Sequence, residues 1–434
     1  MNESSPNLSG AAYLRLVGIG AAIGIPAAFV AALFLGFVHD LEHWLWDNLP
    51  SALGQSSPAW WLVIGLPVVG ACIVLGARVL LPGDGGNPPL EGIGGGATPV
   101  INGPGIVIAA IGTLCFGAVL GPEAPLIALG SVVGMTVTLV TRLDKHEEAV
   151  IASAGSFSAI SALFGGPIVG GMMMVEGGLG LGTALLPVLL PGLVAAAIGY
   201  VIFVGFGTWG GLHAQSLAVP NLPAYNGTHV YDLIVGIVVG ITAAILVTVV
   251  RRGAVALAGP GLSRFGMPGL LLGGALAVGL IAQIADWLGA DSQDVLFSGQ
   301  TGVPALAAAD STKIVLILLV AKALGYAVSL GCGFRGGPVF PAIFLGIAVA
   351  TLAVVWFDVS PTLAVAVGAA GGMAATTRLL ITSSLFASLL VGTVGLDAVP
   401  AAVLAAAAAW LTVQFLDKWA VTGNEPAAAA EPAT

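Results

Sequence analysis

The chain has 434 residues, of which 58% are hydrophobic and 8% charged, with a formal net charge of −9. Soluble domains carry roughly a quarter of their residues as charges. This composition therefore excludes an ordinary soluble domain, and the acidic balance argues against a basic nucleic-acid surface.

The first 13 residues are polar and lack a basic n-region, so no cleavable signal is expected. Residues 14–38 form the first apolar segment, long enough for the roughly 20 residues a bilayer crossing takes. His39 to Trp46 mixes charges and aromatics and suits a membrane interface, with both histidines exposed. Residues 60–81 give a second segment containing Pro67, and Pro82 to Gly92 is a polar Gly/Pro loop. A third segment, 105–120, leads into Gly121-Pro122-Glu123-Ala124-Pro125-Leu126-Ile127-Ala128-Leu129-Gly130. Gly and Pro stop the preceding element, and Pro122 suits the start of a new helix. Glu123 then falls in the first turn, where free N–H groups and the helix dipole favour negative charge.

Residues 126–139, 151–163 and 167–175 are too short to span fully, and Arg142 to Glu148 reads as a solvated loop. Residues 184–206, 233–250, 267–288 and 314–330 are full-length. His213, Tyr225, His229 and Tyr231 lie in a polar loop and are expected to be exposed. Arg251, Arg252 and Arg264 are read as one cytoplasmic loop by the positive-inside rule. Segments 341–357, 361–375, 379–391 and 401–415 complete the apolar part, and 422–434 is an Ala/Pro/Glu-rich tail expected to be disordered. Cys72, Cys115 and Cys332 are scattered, without disulfide or metal spacing, and are read as packed thiols.

The central phrase returns as Gly337-Pro338-Val339-Phe340-Pro341-Ala342-Ile343-Phe344-Leu345-Gly346, with six of ten positions matching at an offset of 216 (337 − 121). Ala154-Gly155 and Ala370-Gly371 keep the same offset. The chain therefore reads as two related halves, residues 60–206 and 267–415, each with a helix started by Gly-Pro. Alternating full-length and half-length segments, broken at matching places, are the signature of a transporter with an ion site near the midplane. A helix that begins inside a bilayer leaves N–H groups that need partners. Val339 and Phe340 would present theirs to an anion, and Glu123, an anion carried by the chain itself, would compete for them and leave on protonation.

These motifs resemble those of the CLC chloride channel and transporter family. Gly121-Pro122-Glu123-Ala124-Pro125 is similar to its Gly-Lys/Arg-Glu-Gly-Pro motif, and Gly337 to Pro341 to its Gly-x-Phe-x-Pro motif. Gly85-Gly86-Asn87-Pro88, with Glu91-Gly92 following, resembles a degenerate Gly-Ser-Gly-Ile-Pro motif, and Phe164-Gly165-Gly166-Pro167 through Glu176 the next segment. Order and spacing agree over about residues 80–392, and the phrases are most like a divergent bacterial branch of ion-transport proteins.

The resemblance implies an all-α polytopic membrane protein with an inverted repeat of broken helices. It implies one transmembrane domain over residues 1–421, a homodimer in the lipid bilayer, and one anion path per subunit. Glu123 would be the gate. Gly337, Val339, Phe340, Gly85 and Gly86 would surround the anion. Several departures stand out. The family's anion-touching serine falls on Gly85, which has no hydroxyl, and the aromatic of the second motif is shifted. No tyrosine follows Phe415, and no nucleotide-sensing domain is expected. The acid of the family's proton relay falls on Gly177, leaving Glu176 one position away as a possible substitute. Lys322 and Arg335 are expected to pair with carbonyls or acids in the bundle, and Arg378 to open a half-helix.

The reading is transport of an inorganic anion, chloride first, across the cytoplasmic membrane. The alternative is a protein of this fold with a lost pore or a non-halide solute. An intramembrane enzyme is disfavoured, since no His-Glu-x-x-His, Gly-x-Ser-x-Gly or paired aspartates occur in a span. No cofactor, metal or nucleic acid is expected.

Overall fold

The computed structural model describes residues 10–139, 141, 143–179, 185–209, 217–259, 262 and 265–422. Arg142, His213, Arg264 and residues 423–434 of the tail lie outside them.

The described chain is helical almost throughout. The first half holds α1 (Gly10–His43), α2 (Trp60–Leu80), α3 (Gly103–Leu114), α4 (Glu123–Thr138), α5 (Lys145–Leu163), α6 (Pro167–Gly177) and α7 (Leu186–Trp209). The second holds α8 (Val230–Ala258), α9 (Gly266–Trp287), α10 (Thr312–Gly331), α11 (Val339–Phe357), α12 (Pro361–Thr377), α13 (Leu380–Val391) and α14 (Val399–Thr422). Eight helical stretches among the described residues are long and apolar enough to cross a membrane. The protein is a multi-pass membrane protein.

Prolines open α3, α6 and α12, where a missing N–H leaves no ladder bond unmade. Pro122 and Pro338 stand one step earlier, as the N-caps of α4 and α11. α1 does not stop at an interface loop. It runs through His39 and His43, both exposed, and continues as a π-helical turn, Trp44–Asn48. Within that turn Trp46 is buried, and its indole N–H donates to Cys115 O at 3.0 Å.

Four expectations from the sequence are corrected. The Asp144–Glu148 part of the charged cluster is the start of α5. Asp144 Oδ1 accepts from the amides of His146 and Glu147, and Glu147 Oε2 accepts from the Asp144 amide. That Asp-x-x-Glu capping box was legible in the chain. Arg251 and Arg252 lie in the last turns of the 29-residue α8, not in a loop. Tyr225 is buried with its hydroxyl on Asp232, while His229 and Tyr231 stay exposed. Cys115 and Cys332 are buried, but Cys72 is exposed on α2, because the apolar surroundings of a membrane helix include its lipid-facing side.

The same set of packing partners occurs twice. α4 lies on α5 as α11 lies on α12. α5 meets α7 as α12 meets α14, and α1 meets both α5 and α7 as α8 meets both α12 and α14. α2 and α3 pair as α9 and α10 do, while α2 touches α9 and α6 touches α13. The tightest crossings are made by glycines at matching places. A Cβ on Gly130 would lie 2.4 Å from Gly155 O, and one on Gly346 would lie 2.1 Å from Gly368 O. Small residues let helix backbones approach closely where lipid supplies no hydrophobic drive.

Candidate functional site

The two Gly-Pro breaks meet in the middle of the molecule. Gly121 N–H donates to Gly337 O at 2.8 Å, and Gly337 N–H donates to Gly121 O at 2.6 Å, a reciprocal antiparallel bridge. The bridge sets the N-termini of α4 and α11 side by side. Glu123, fully buried, crosses from one to the other, and its Oε1 accepts from the Val339 amide. The amides of Phe340 and of Glu123 itself also face the carboxylate, yet Oε2 makes no hydrogen bond. A carboxylate at membrane depth costs about 2.5–3.5 kcal/mol on insertion scales. Here one oxygen is compensated and the other is not.

The glycines are required by that carboxylate. A Cβ on Gly337 would lie 2.1 Å from Glu123 Cδ, and a Cβ on Gly121 would lie 2.1 Å from Glu123 Oε2. Any side chain at either position displaces Glu123.

Two open cavities end on this helix terminus. One, about 620 Å³, reaches Pro338 and is lined by Arg251, Arg252, Arg378, Tyr326 and Thr376, with Glu91 and Asp417 also in its wall. The other, about 250 Å³, reaches Phe340 and is lined by Phe386, Ile343, Leu390 and the 217–220 and 299–304 segments, with no charged residue. Tyr326 forms part of the wall of the first cavity. It is fully buried on α10 and its hydroxyl donates to Pro338 O at 2.6 Å. Nothing local in the chain singles it out, because the resemblance points to a tyrosine after Phe415 and this one precedes the second break. Phe340 stacks on Phe164 at 5.5 Å between ring centroids, and both rings meet Phe386 edge-on, at 6.0 and 5.2 Å.

Gly85 and Gly86 lie to one side. Both have left-handed backbones. A Cβ on Gly85 would meet Ala109, Arg335 and Arg78, and one on Gly86 would meet Ile106. Their neighbour Asp84 is the centre of a network that the sequence did not reveal. Arg78 grips its carboxylate through Nε at 2.8 Å and Nη2 at 3.0 Å, and reaches Gly333 O. Arg335 binds Asp84 O at 2.8 Å and its carboxylate. Burial opposes the charge on Asp84, but the two guanidiniums hold its carboxyl below the usual carboxylate range. Arg335 thereby pairs with an acid, as expected. Lys322, fully buried, donates to Leu296 O at 2.6 Å and Asp294 O at 3.0 Å. Arg378 has a left-handed backbone at the end of α12 and pairs with Asp417.

Glu176 ends α6 and reaches the N-terminus of α13. Its Oε1 accepts from the amides of Leu380 (3.0 Å) and Ile381 (2.9 Å), and its Oε2 from the amide (2.7 Å) and hydroxyl (2.5 Å) of Thr382. Three of the four bonds satisfy amides that the helix start would leave open, and the fourth engages the Thr382 hydroxyl.

Residues 89–414 match the family model described as "Voltage gated chloride channel". The protein named "Putative ion-transport protein YfeO" in Escherichia coli O139:H28 (strain E24377A / ETEC) is 28% identical over 340 residues, 75% of this chain and 76% of that protein. Its namesake in Shigella flexneri serotype 5b (strain 8401) has the same identity and coverage. Among solved structures, a slow cyanobacterial Cl⁻/H⁺ antiporter superposes with a TM-score of 0.73 at 16% identity, over 95% of this chain and 99% of that one. A CLC-type fluoride/proton antiporter superposes with a TM-score of 0.72 at 19% identity, over 94% and 98%. At these identities the structural likeness establishes the fold.

Proposed function

The chain belongs to the voltage-gated chloride channel family, and from that premise we propose that it carries an inorganic anion, chloride first, across the cell membrane between the two cavities that meet at the start of α11. Arg251 and its neighbours draw the anion into the larger cavity, which the positive-inside rule puts on the cytoplasmic side. The anion then takes the amides of Val339 and Phe340, with the α11 dipole behind them. Glu123 holds those amides in its absence and must leave them, by protonation or by swinging aside, for the anion to pass. Gly337 keeps the space for that exchange open, while Gly85 and Gly86 contribute backbone only.

The observation that carries this reading is the state of the Glu123 carboxylate, with one oxygen on Val339 N–H and the other without a partner. A side chain held by half its capacity is exchangeable. The test is anion efflux from proteoliposomes across a pH series. Glu123→Gln mimics the protonated acid, so its efflux should lose most of its pH dependence. Unchanged efflux with unchanged pH dependence would remove Glu123 from the path.

The reading extends to assembly and coupling. The protein acts as a homodimer with one path per subunit, and each subunit is one domain of two repeats with opposite membrane orientation. The doubled packing pattern supports a repeat that also takes in α1 and α8. Proton coupling is absent or loose. Gly177 cannot titrate, and the four hydrogen bonds on Glu176 fasten it to α13. Stoichiometric uphill proton movement, abolished by Glu176→Gln, would show instead that Glu176 is the relay.

A further inference from the structure

Beyond the transport reading, we infer that the cavity at Pro338 is a binding site for the phosphate headgroup of an anionic phospholipid, whose acyl chains lie along the exposed face of α8.

The depth of the cavity follows from the length of α8. Its uncharged stretch, residues 233–250, rises roughly 27 Å at about 1.5 Å per residue, close to the ~30 Å of a hydrocarbon core. Arg251 and Arg252 come directly after it, both exposed, at the level where lipid phosphates lie. The same helix carries a stripe that leads to them. Ile234, Val238, Ile241 and Ile245 recur at steps of four and three, each 38–59% exposed, and the next steps are Thr248, Arg252 and Val255. Side chains at this spacing share one helix face. Thr248, Arg252 and Val255 are also wall residues of the cavity, so the apolar face and the cavity are continuous.

The wall suits a lipid at both levels. Val247, Val255, Leu330 and Val413 supply apolar surface, and Arg251, Arg252 and Arg378 supply charge. Arg378 is paired with Asp417. Arg252 donates to Leu416 O at 3.0 Å, a carbonyl, which leaves its charge uncompensated. Arg251 has no ion-pair partner among the described residues. Glu91 is the other acid of the wall, and its field also falls on Arg335. The Thr376 hydroxyl, in the same wall beside Tyr326, is buried without a hydrogen bond and is free to donate to a headgroup oxygen. Guanidinium forks match phosphate oxygens two at a time, and basic pockets between membrane helices take anionic headgroups. A soluble phosphate ester shares the headgroup chemistry but has nothing to lay on the α8 stripe. The stripe is what selects a lipid.

The experiment titrates the full-length protein in detergent with dioleoyl phosphatidylglycerol, dioleoyl phosphatidate or dioleoyl phosphatidylcholine and reads bound lipid by native mass spectrometry. The two anionic lipids should bind at least about tenfold more tightly than the zwitterionic one. Arg251→Gln combined with Arg252→Gln should bring that preference down by about tenfold, whereas Lys313→Gln, at the start of α10 and outside the cavity wall, should leave it unchanged. Thr248→Trp keeps every charge and fills the point where stripe and cavity meet. It should weaken binding of the anionic lipids by about fivefold or more, and it makes the test even if the arginine pair does not fold. Glycerol 3-phosphate at the lipid concentrations should displace nothing.

Equal affinity for the three lipids would overturn the site. So would a preference that falls as far in Lys313→Gln as in the arginine pair, or binding untouched by every cavity variant that folds. Displacement by glycerol 3-phosphate would replace the lipid with a soluble phosphate ester. None of these readouts uses transport, so failure of the transport reading and failure of this site are told apart.

Discussion

Glu123 and Glu176 come from the same half of the chain, and each reaches the N-terminus of a helix in the other half. Glu176 meets three amides and a hydroxyl and has both oxygens engaged. Glu123 meets the Val339 amide with one oxygen and leaves the other without a hydrogen bond, though it is the more deeply buried of the two. The same pairing of carboxylate and helix start thus gives a fully bonded clamp in one place and a half-bonded contact in the other. The difference lies in how many donors the helix start presents: α13 turns three successive amides and a hydroxyl to its acid, whereas α11 follows a proline cap and a glycine already engaged in the reciprocal bridge.

Removing the clamp should have the largest effect on stability. Glu176→Ala leaves four donors open, and charge-assisted bonds of this kind contribute roughly 1.5–3 kcal/mol each when counted singly. A loss of at least ~3 kcal/mol is expected, read as a lower unfolding midpoint in detergent. A midpoint equal to that of the parent would erase the contrast with Glu123. Glu123→Gln should leave the midpoint unchanged or raised, since it relieves an under-satisfied buried charge.

Next in size is Gly337→Ala, whose new methyl falls on Glu123 Cδ. Overpacking of this sort costs about 1–3 kcal/mol. The cost should largely vanish in a Glu123→Ala background, because the clashing group is gone. A double-mutant cycle measures this, and additive effects would place Glu123 away from Gly337. The smallest effect is set by Asp84. Its folded carboxyl titrates below its unfolded value of about 3.9, so between the two the unfolded chain binds more protons and stability rises with pH. Its contribution is fully present above the unfolded value and is lost as pH falls through the folded one. Asp84→Asn should flatten that acid limb of the stability curve, and a limb of unchanged shape would show that the guanidiniums do not hold the carboxylate.

Most of the helices were legible because apolar runs bounded by Gly and Pro leave little choice inside a membrane. Both breaks and Glu123 followed from the repeated phrase. What escaped was long-range. Tyr326 lies in an ordinary apolar run, and nothing local says that its hydroxyl reaches Pro338 O. Asp84 is one acid in a Gly-rich loop until Arg78 and Arg335 converge on it. Glu176 carries no mark of its role, because its partners are backbone amides 204 to 206 residues away. The start of α5 is a different kind of miss, since its capping box was present in the chain.

The reciprocal bridge between Gly121 and Gly337 also bears on biosynthesis. Its two strands are separated by more than two hundred residues, so a ribosome that has delivered only the first half has inserted Glu123 with no Val339 to receive it. The carboxylate then waits at membrane depth as an unpaired group, at a cost of several kcal/mol. Closing the bridge is what ends that exposure, and it cannot precede the arrival of α11. Local helices assemble early and contacts of long sequence separation form late. The centre of this protein is accordingly among the last parts of it to fold.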